Sequence, residues 1–171
     1  MIRNIEYEGS HFLKEPTRKV EWPLTKEVQQ VIQDLKDTME ATSRAAGIAA
    51  PQIGSSVSIL IYRTSHTKPT IMINPRIVKA RDMESKGKYE MCLSFPDQIF
   101  EVPRYKNITV YYEDESGKPY VLKYRGFEAR VLQHETDHLL GLTMADKGKK
   151  LSEEETAYLL EAIRHGKEEE A

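Results

Sequence analysis

The sequence predicts an α+β fold, with mostly antiparallel strands arranged around a central helix. Three observations lead there. An amphipathic run of helical period stands near the start. A series of short β-branched and aromatic runs, separated by turn residues, fills the middle. Two more helical patterns close the chain, giving the order helix, strands, helix, helix.

The first helix lies in "LTKEVQQVIQDLKDTMEAT", where Val28, Val31, Ile32, Leu35 and Met39 recur at helical spacing and Thr25 offers an N-cap. It is expected to run about four turns with its apolar stripe in the core. "AAGIAAPQIGSS" follows, a small-residue segment with turn signals at Pro51 and Gly54. "VSILIYR" and "TIMINPRIV" read as buried or half-buried strands, "RDMESKGKYE" as a polar connection, and "QIFEVP" as a short strand ending near Pro103. "NITVYYED" and "YVLKYRGF" flank "ESGKP", which has the composition of a hairpin turn. A helix through "VLQHETDHLLG" is expected to stop at Gly141 or to continue briefly beyond it. The last helix, at about 152–165, has a capping-box pattern in Ser152 and Glu155 and a C′ residue in Gly166, with Tyr158, Leu159 and Ile163 expected to dock it. No repeat or interdomain linker interrupts 1–171, so a single domain is expected.

Composition narrows the function classes. The chain has 171 residues and a formal net charge of -2, enough length for one core and no basic excess that would argue for direct nucleic-acid binding. No apolar run is long enough to cross a bilayer, and the start lacks the apolar region of a secretory signal. With 1 cysteine there can be no internal disulfide, which fits a reducing, cytoplasmic setting. The acidic end, "GKEEEA", reads as a solvated tail.

Within "VLQHETDHLLG", His134 and His138 stand four apart, with Glu135 after the first. Four residues are about one helical turn, so both imidazoles would share a face. Two neutral imidazoles on one face can bind a metal ion, and a glutamate beside them can act as a base for water there. The same string also arises in ordinary solvated helices, and by itself lacks a third ligand. His11, His66 and His165 lie apart from it and read as surface residues.

Two other segments carry chemistry: "GIAAPQIG", Gly47 to Gly54, and "EMCLSFP", Glu90 to Pro96. In this order and spacing, the three segments resemble the signature motifs of the peptide deformylase family. "MINPRIV", the "VPR" of Val102 to Arg104, the "GKP" turn and "GFEARVLQHE" are also similar to that family, so the resemblance spans roughly residues 10 to 146.

The resemblance implies a peptide-deformylase fold, antiparallel sheets around the central metal-binding helix. It implies removal of the N-formyl group from formyl-methionyl nascent peptides, with release of formate. One divalent metal would be held by Cys92, His134 and His138, natively Fe(II), with nickel, cobalt or zinc accepted in purified protein. Three ligands leave a fourth position open, as a catalytic site requires. Glu135 would be general base and then acid. Gln52, through its side-chain amide, and Leu93, through its backbone N–H, would donate to the developing oxyanion. Ala46, Gly47, Glu90, Met91, Arg104, Phe127 and Val131 would bind substrate, together with His134. Asp137 would either orient a ligand or pair with a basic side chain. A transient ribosome contact is compatible with this reading.

Two motif positions depart from the usual family pattern: Met91 and Ala45 stand where glycine is normal. Thr143 and Met144 replace a more usual apolar-aromatic pair. Glycine permits close backbone approach, so Met91 would narrow a groove, fill part of it, or point away. These departures motivate an alternative, a homologue acting on another acyl-amine or binding peptide and metal without catalysis. Glu135 speaks against a pure binder, because binding alone needs no base.

Overall fold

The computed structural model describes residues 1–65 and 68–165. His66, Gly166 and the acidic tail, each read above, lie outside the described residues.

Helix α1 spans Lys26–Ala41, and its Thr25 cap accepts a hydrogen bond from the Val28 amide. Ile32, Leu35 and Met39 are buried; Val28 and Val31 pack at the margin of the same cluster. A five-stranded antiparallel sheet lies against it, in the order β1 (Gly47–Ala49), β2 (Ile59–Tyr62), β3 (Thr70–Glu84), β6 (Arg104–Glu113), β7 (Pro119–Arg125). A second sheet has the order β4 (Tyr89–Cys92), β5 (Phe95–Glu101), β8 (Lys149–Lys150).

The continuous apolar runs of β2 and β3 have a direct cause. Helix α2, Gly126–Leu139, covers the other face of the large sheet, so these strands are buried on both sides. Ile59, Ile61, Ile71 and Ile73 face α1, while Leu60, Tyr62 and Met72 face Ala129, Val131 and Leu132 of α2. Buried at both faces, each such side chain contributes on the order of 1.5–3 kcal/mol. A smaller cluster of Phe95, Phe100, Val102 and Met144 underlies the second sheet and abuts Cys92.

Several expectations need correction. The segment "RDMESKGKYE" is not all connection: β3 continues to Glu84, pairing Arg81 with Asn107 and Met83 with Tyr105. Both faces of that extension are exposed, so no apolar alternation marks it. The "QIFEVP" strand starts earlier, at Phe95. Tyr158 does not dock the last helix, α4 (Glu153–Arg164), for it is 75% exposed. The stripe that docks is Thr156, Leu159, Leu160 and Ile163, and Tyr158 falls off it by helical geometry.

Gly141 stops α2. Its φ is 78°, its N–H bonds His138 O, and Leu142 N–H bonds Asp137 O. This paired termination requires a left-handed residue, and a Cβ there would lie 2.9 Å from Lys14 O. Beyond it Thr143 caps a separate turn, α3 (Met144–Lys147), whose Met144 is 1% exposed, so both departing residues have structural work of their own.

Candidate metal centre

Residues 129–139 of α2 are all buried, polar ones included. A helix can carry His134, Glu135, Asp137 and His138 inside a protein only if partners offset their desolvation. Those partners define the site.

The ligand atoms of Cys92, His134 and His138 lie within 4.8 Å of one another. Cys92 Sγ is 3.5 Å from His138 Nε2. A tetrahedral ion with ordinary Zn–S and Zn–N bonds would hold such atoms roughly 3.6 Å apart. His134 turns Nδ1 to Glu90 at 2.8 Å, which leaves Nε2 for the Cys92 side. His138 Nδ1 has no hydrogen-bond partner among the described residues, and burial together with the neighbouring His134 holds this imidazole well below its ordinary pKa, in the neutral form a ligand needs.

Behind the three ligands stands a buried ion cluster. Arg104 grips Glu90 through Nε at 2.8 Å and Nη2 at 2.9 Å, and its Nη1 reaches Asp137. Arg130 Nη1 donates to Glu90 at 2.8 Å and Lys147 Nζ to Asp137 at 2.8 Å. Burial alone would raise the Glu90 carboxyl, but Arg104 and His134 hold it far below the usual carboxylate range. Asp137 therefore pairs with basic side chains, and reaches His134 only through Arg104 and Glu90.

In front of the ligands, Gln52 is 1% exposed. Its Oε1 accepts from Ala49 N at 2.9 Å, while Nε2 donates to Ser94 Oγ at 3.1 Å and approaches Cys92 Sγ at 3.5 Å. Leu93 opens the turn just after Cys92. Glu135 is buried and its Oε1 has no hydrogen-bond partner among the described residues. That burial pushes its pKa up to about 7. Gly47 lies against it: a Cβ there would be 2.7 Å from Glu135 Cγ and Oε2.

The remaining candidates divide. Phe127, Val131 and His134 fall on one face of α2 by their spacing, Phe127 47% exposed and Val131 buried beside Ala46. Glu90 and Arg104 are buried and engaged with each other, behind the imidazoles rather than along an open groove. Met91 is 49% exposed, between the buried Glu90 and the partly buried Cys92. It stands where the register of β4 with β5 breaks, and its exposure keeps it out of the buried set of Cys92, His134 and His138. Ala45 is packed in the α1 cluster, where Arg63 Nε donates to its carbonyl at 3.1 Å. His11 and His165 are exposed. Sequence reasoning passed over Arg130, Ser94 and Lys147. Arg130 stands one helical turn before His134 and Ser94 two residues after Cys92, which are usable signals; Lys147 had none.

The donor set fits a divalent metal. One sulfur and two imidazole nitrogens converge, a fourth direction carries no protein ligand from this set, and negative groups crowd the site. Against the effect of burial, Cys92, Glu90 and Glu135 pull His134 well above its ordinary pKa, so the pocket favours positive charge at this spot. With the neighbouring buried carboxyl, this defines a metal-dependent hydrolase centre.

Comparison with known proteins gives the family. The polypeptide deformylase family model matches residues 2–154. A peptide deformylase of Aquifex aeolicus is 40% identical over 155 residues, which cover 87% of this chain and 89% of that protein. A crystal structure of a peptide deformylase from Legionella pneumophila superimposes with a TM-score of 0.79 at 30% identity, covering 100% of both chains. A Met-Ala-Ser-bound structure of class I type b peptide deformylase from Acinetobacter baumannii gives 0.78 at 27% identity, covering 86% of this chain and 98% of the other. The chain belongs to the polypeptide deformylase family.

Proposed function

We propose that this protein removes the N-formyl group from the N-terminal formyl-methionine of nascent polypeptides, in the cytoplasm, and releases formate. The observation that carries the reading is the buried Glu135 carboxyl, unpartnered at Oε1 among the described residues, beside the cluster of Cys92, His134 and His138.

Cys92, His134 and His138 hold the metal. A divalent cation so bound supplies positive charge that acidifies water and polarises a carbonyl oxygen. Glu135 takes the proton of the attacking water and passes it to the leaving amine nitrogen. In the metal-free fold burial raises its pKa to about 7, which shows how strongly this site desolvates the carboxylate. Gln52 Nε2 and the Leu93 N–H donate to the formyl oxygen as it gains charge. Glu90 and Arg104 act on the imidazole, fixing which nitrogen of His134 faces the metal.

The substrate lies between two free strand edges. β1 ends the large sheet and β4 ends the small one, so each leaves one edge unpaired for an extended peptide. The methionine side chain packs toward Ala46, Phe127 and Val131. The tripeptide held by the Acinetobacter relative supports a peptide occupant. Met91, half exposed rather than packed among the ligand residues, weakens the motive for an altered acyl-amine substrate.

Iron(II) is the native metal on this reading, and loss of activity on exposure of the iron-loaded enzyme to air tests it. Formate release from formyl-Met-Ala-Ser by anaerobically purified, Fe(II)-loaded protein tests the function. Release that Glu135→Ala abolishes is expected. Stoichiometric metal without release would refute deformylation.

A further inference from the structure

A segment near the start of the chain closes a ring around the two proposed oxyanion donors. Glu6 N–H bonds the carbonyl of Gln52 at 2.8 Å. Glu8 N–H bonds the carbonyl of Ser94 at 2.9 Å. Gln52 Nε2 completes the ring by donating to Ser94 Oγ at 3.1 Å. The same two residues are thus joined twice, once through a side chain and once through the backbone of 6–8.

We infer that residues Glu6 and Glu8 are positioning residues, whose backbone amides set the separation between the Gln52 amide and the Leu93 N–H. The inference rests on the reading of Gln52 and Leu93 as oxyanion donors. The two amides stand two residues apart on one short stretch of backbone, whose fixed geometry limits how far their separation can vary. The segment is itself anchored. Ile5 packs on the core beside it, and Gln98 Nε2 donates to Glu8 Oε1 at 2.6 Å. Glu8 itself lies in a turn from Tyr7 to Ser10 that leads on to the buried Leu13. Neither amide touches a metal ligand. Loosening the segment therefore changes where the donors stand while leaving the metal held.

The contacts belong to backbone N–H groups, so proline removes them and alanine keeps them. Glu6→Pro and Glu8→Pro are expected to lower kcat by about 10- to 100-fold, the scale of a misplaced or lost oxyanion donor. KM should stay within about threefold and metal content stoichiometric, while Glu6→Ala and Glu8→Ala keep most of kcat. In a Gln52→Ala background, Glu8→Pro should cost much less, because the donor it helps to place is gone. Wild-type kcat in the proline variants would overturn the inference. So would parallel loss of kcat and metal, or a full additive loss in the Gln52→Ala background. Amide exchange in the unaltered holoenzyme gives a test independent of variant folding: protection of both amides supports the ring, and exchange at the free-peptide rate refutes it. Absence of formate release from the unaltered enzyme would sink the functional reading; release with unimpaired proline variants sinks the positioning role alone.

Discussion

Gly47 and Glu135 share one volume: a Cβ on residue 47 would stand 2.7 Å from both Cγ and Oε2 of the glutamate. Real Cβ atoms do not approach so closely, so the Glu135 side chain occupies space that only glycine leaves open. The backbone of β1 is ordinary extended chain there, and the need is steric rather than conformational. Gly47→Ala is expected to fold and to bind metal stoichiometrically, since Cys92, His134 and His138 are untouched. Its displaced carboxyl should lower kcat by at least about tenfold. Wild-type kcat for formate release in this variant would show that Glu135 has room to move.

How far was this legible in advance? Cys92, His134, His138, Glu135 and Gln52 stand out because their chemistry demands particular residue types within short motifs. The first helix followed from its apolar period, whereas the central helix was read from the spacing of His134 and His138 and from the family resemblance. What supports them was not readable. Arg104 and Glu90 are 14 residues apart, and nothing local announces that one guanidinium joins Glu90 to Asp137. Gly47 could be recognised as a glycine of the motif, but its reason is a side chain 88 positions further on (135 − 47). The extension of β3 was invisible because neither of its faces is buried.

The titration of Glu135 gives a prediction for the metal-free protein. Its pKa in the fold is about 7, above the ordinary 4.5, because burial disfavours the charged form. Between these values the unfolded chain has lost the proton and the folded one retains it, so stability falls as pH rises from about 4.5 and levels off above about 7. Glu135→Gln removes that cost. The metal-free variant should gain on metal-free wild type by about 3 kcal/mol across this window, measured by denaturant unfolding at several pH values. Equal slopes in the two proteins would place the ionisation elsewhere.

Glu90→Gln separates the ion cluster from the ligands. Arg104 and Arg130 lose a buried counter-charge, and His134 Nδ1 keeps only a neutral partner. Breaking a buried pair from one side costs on the order of 3–5 kcal/mol. Loss of the carboxylate behind a ligating imidazole weakens metal binding by about 10- to 100-fold. Thermal unfolding and metal competition with a chelator measure the two effects. A metal affinity that does not change would mean that the charge on Glu90 does not tune His134 as a ligand.

Met91→Gly restores the residue usual in the family. Met91 occupies the irregular point of the β4–β5 pairing, between the pairs Glu90–Phe100 and Cys92–Phe95. Its side chain is half exposed, so it is not packed among the buried ligand residues. The substitution should therefore leave kcat/KM for formyl-Met-Ala-Ser within about threefold, a change under about 1 kcal/mol. Stability should fall slightly, since glycine in a strand has more freedom to lose on folding. A rise in kcat/KM of about tenfold or more would show that the thioether reaches round the free edge of β4 into the groove. A varied second residue in the peptide would then locate the obstruction: relief confined to bulky side chains places Met91 beside that residue, and uniform relief places it against the peptide backbone.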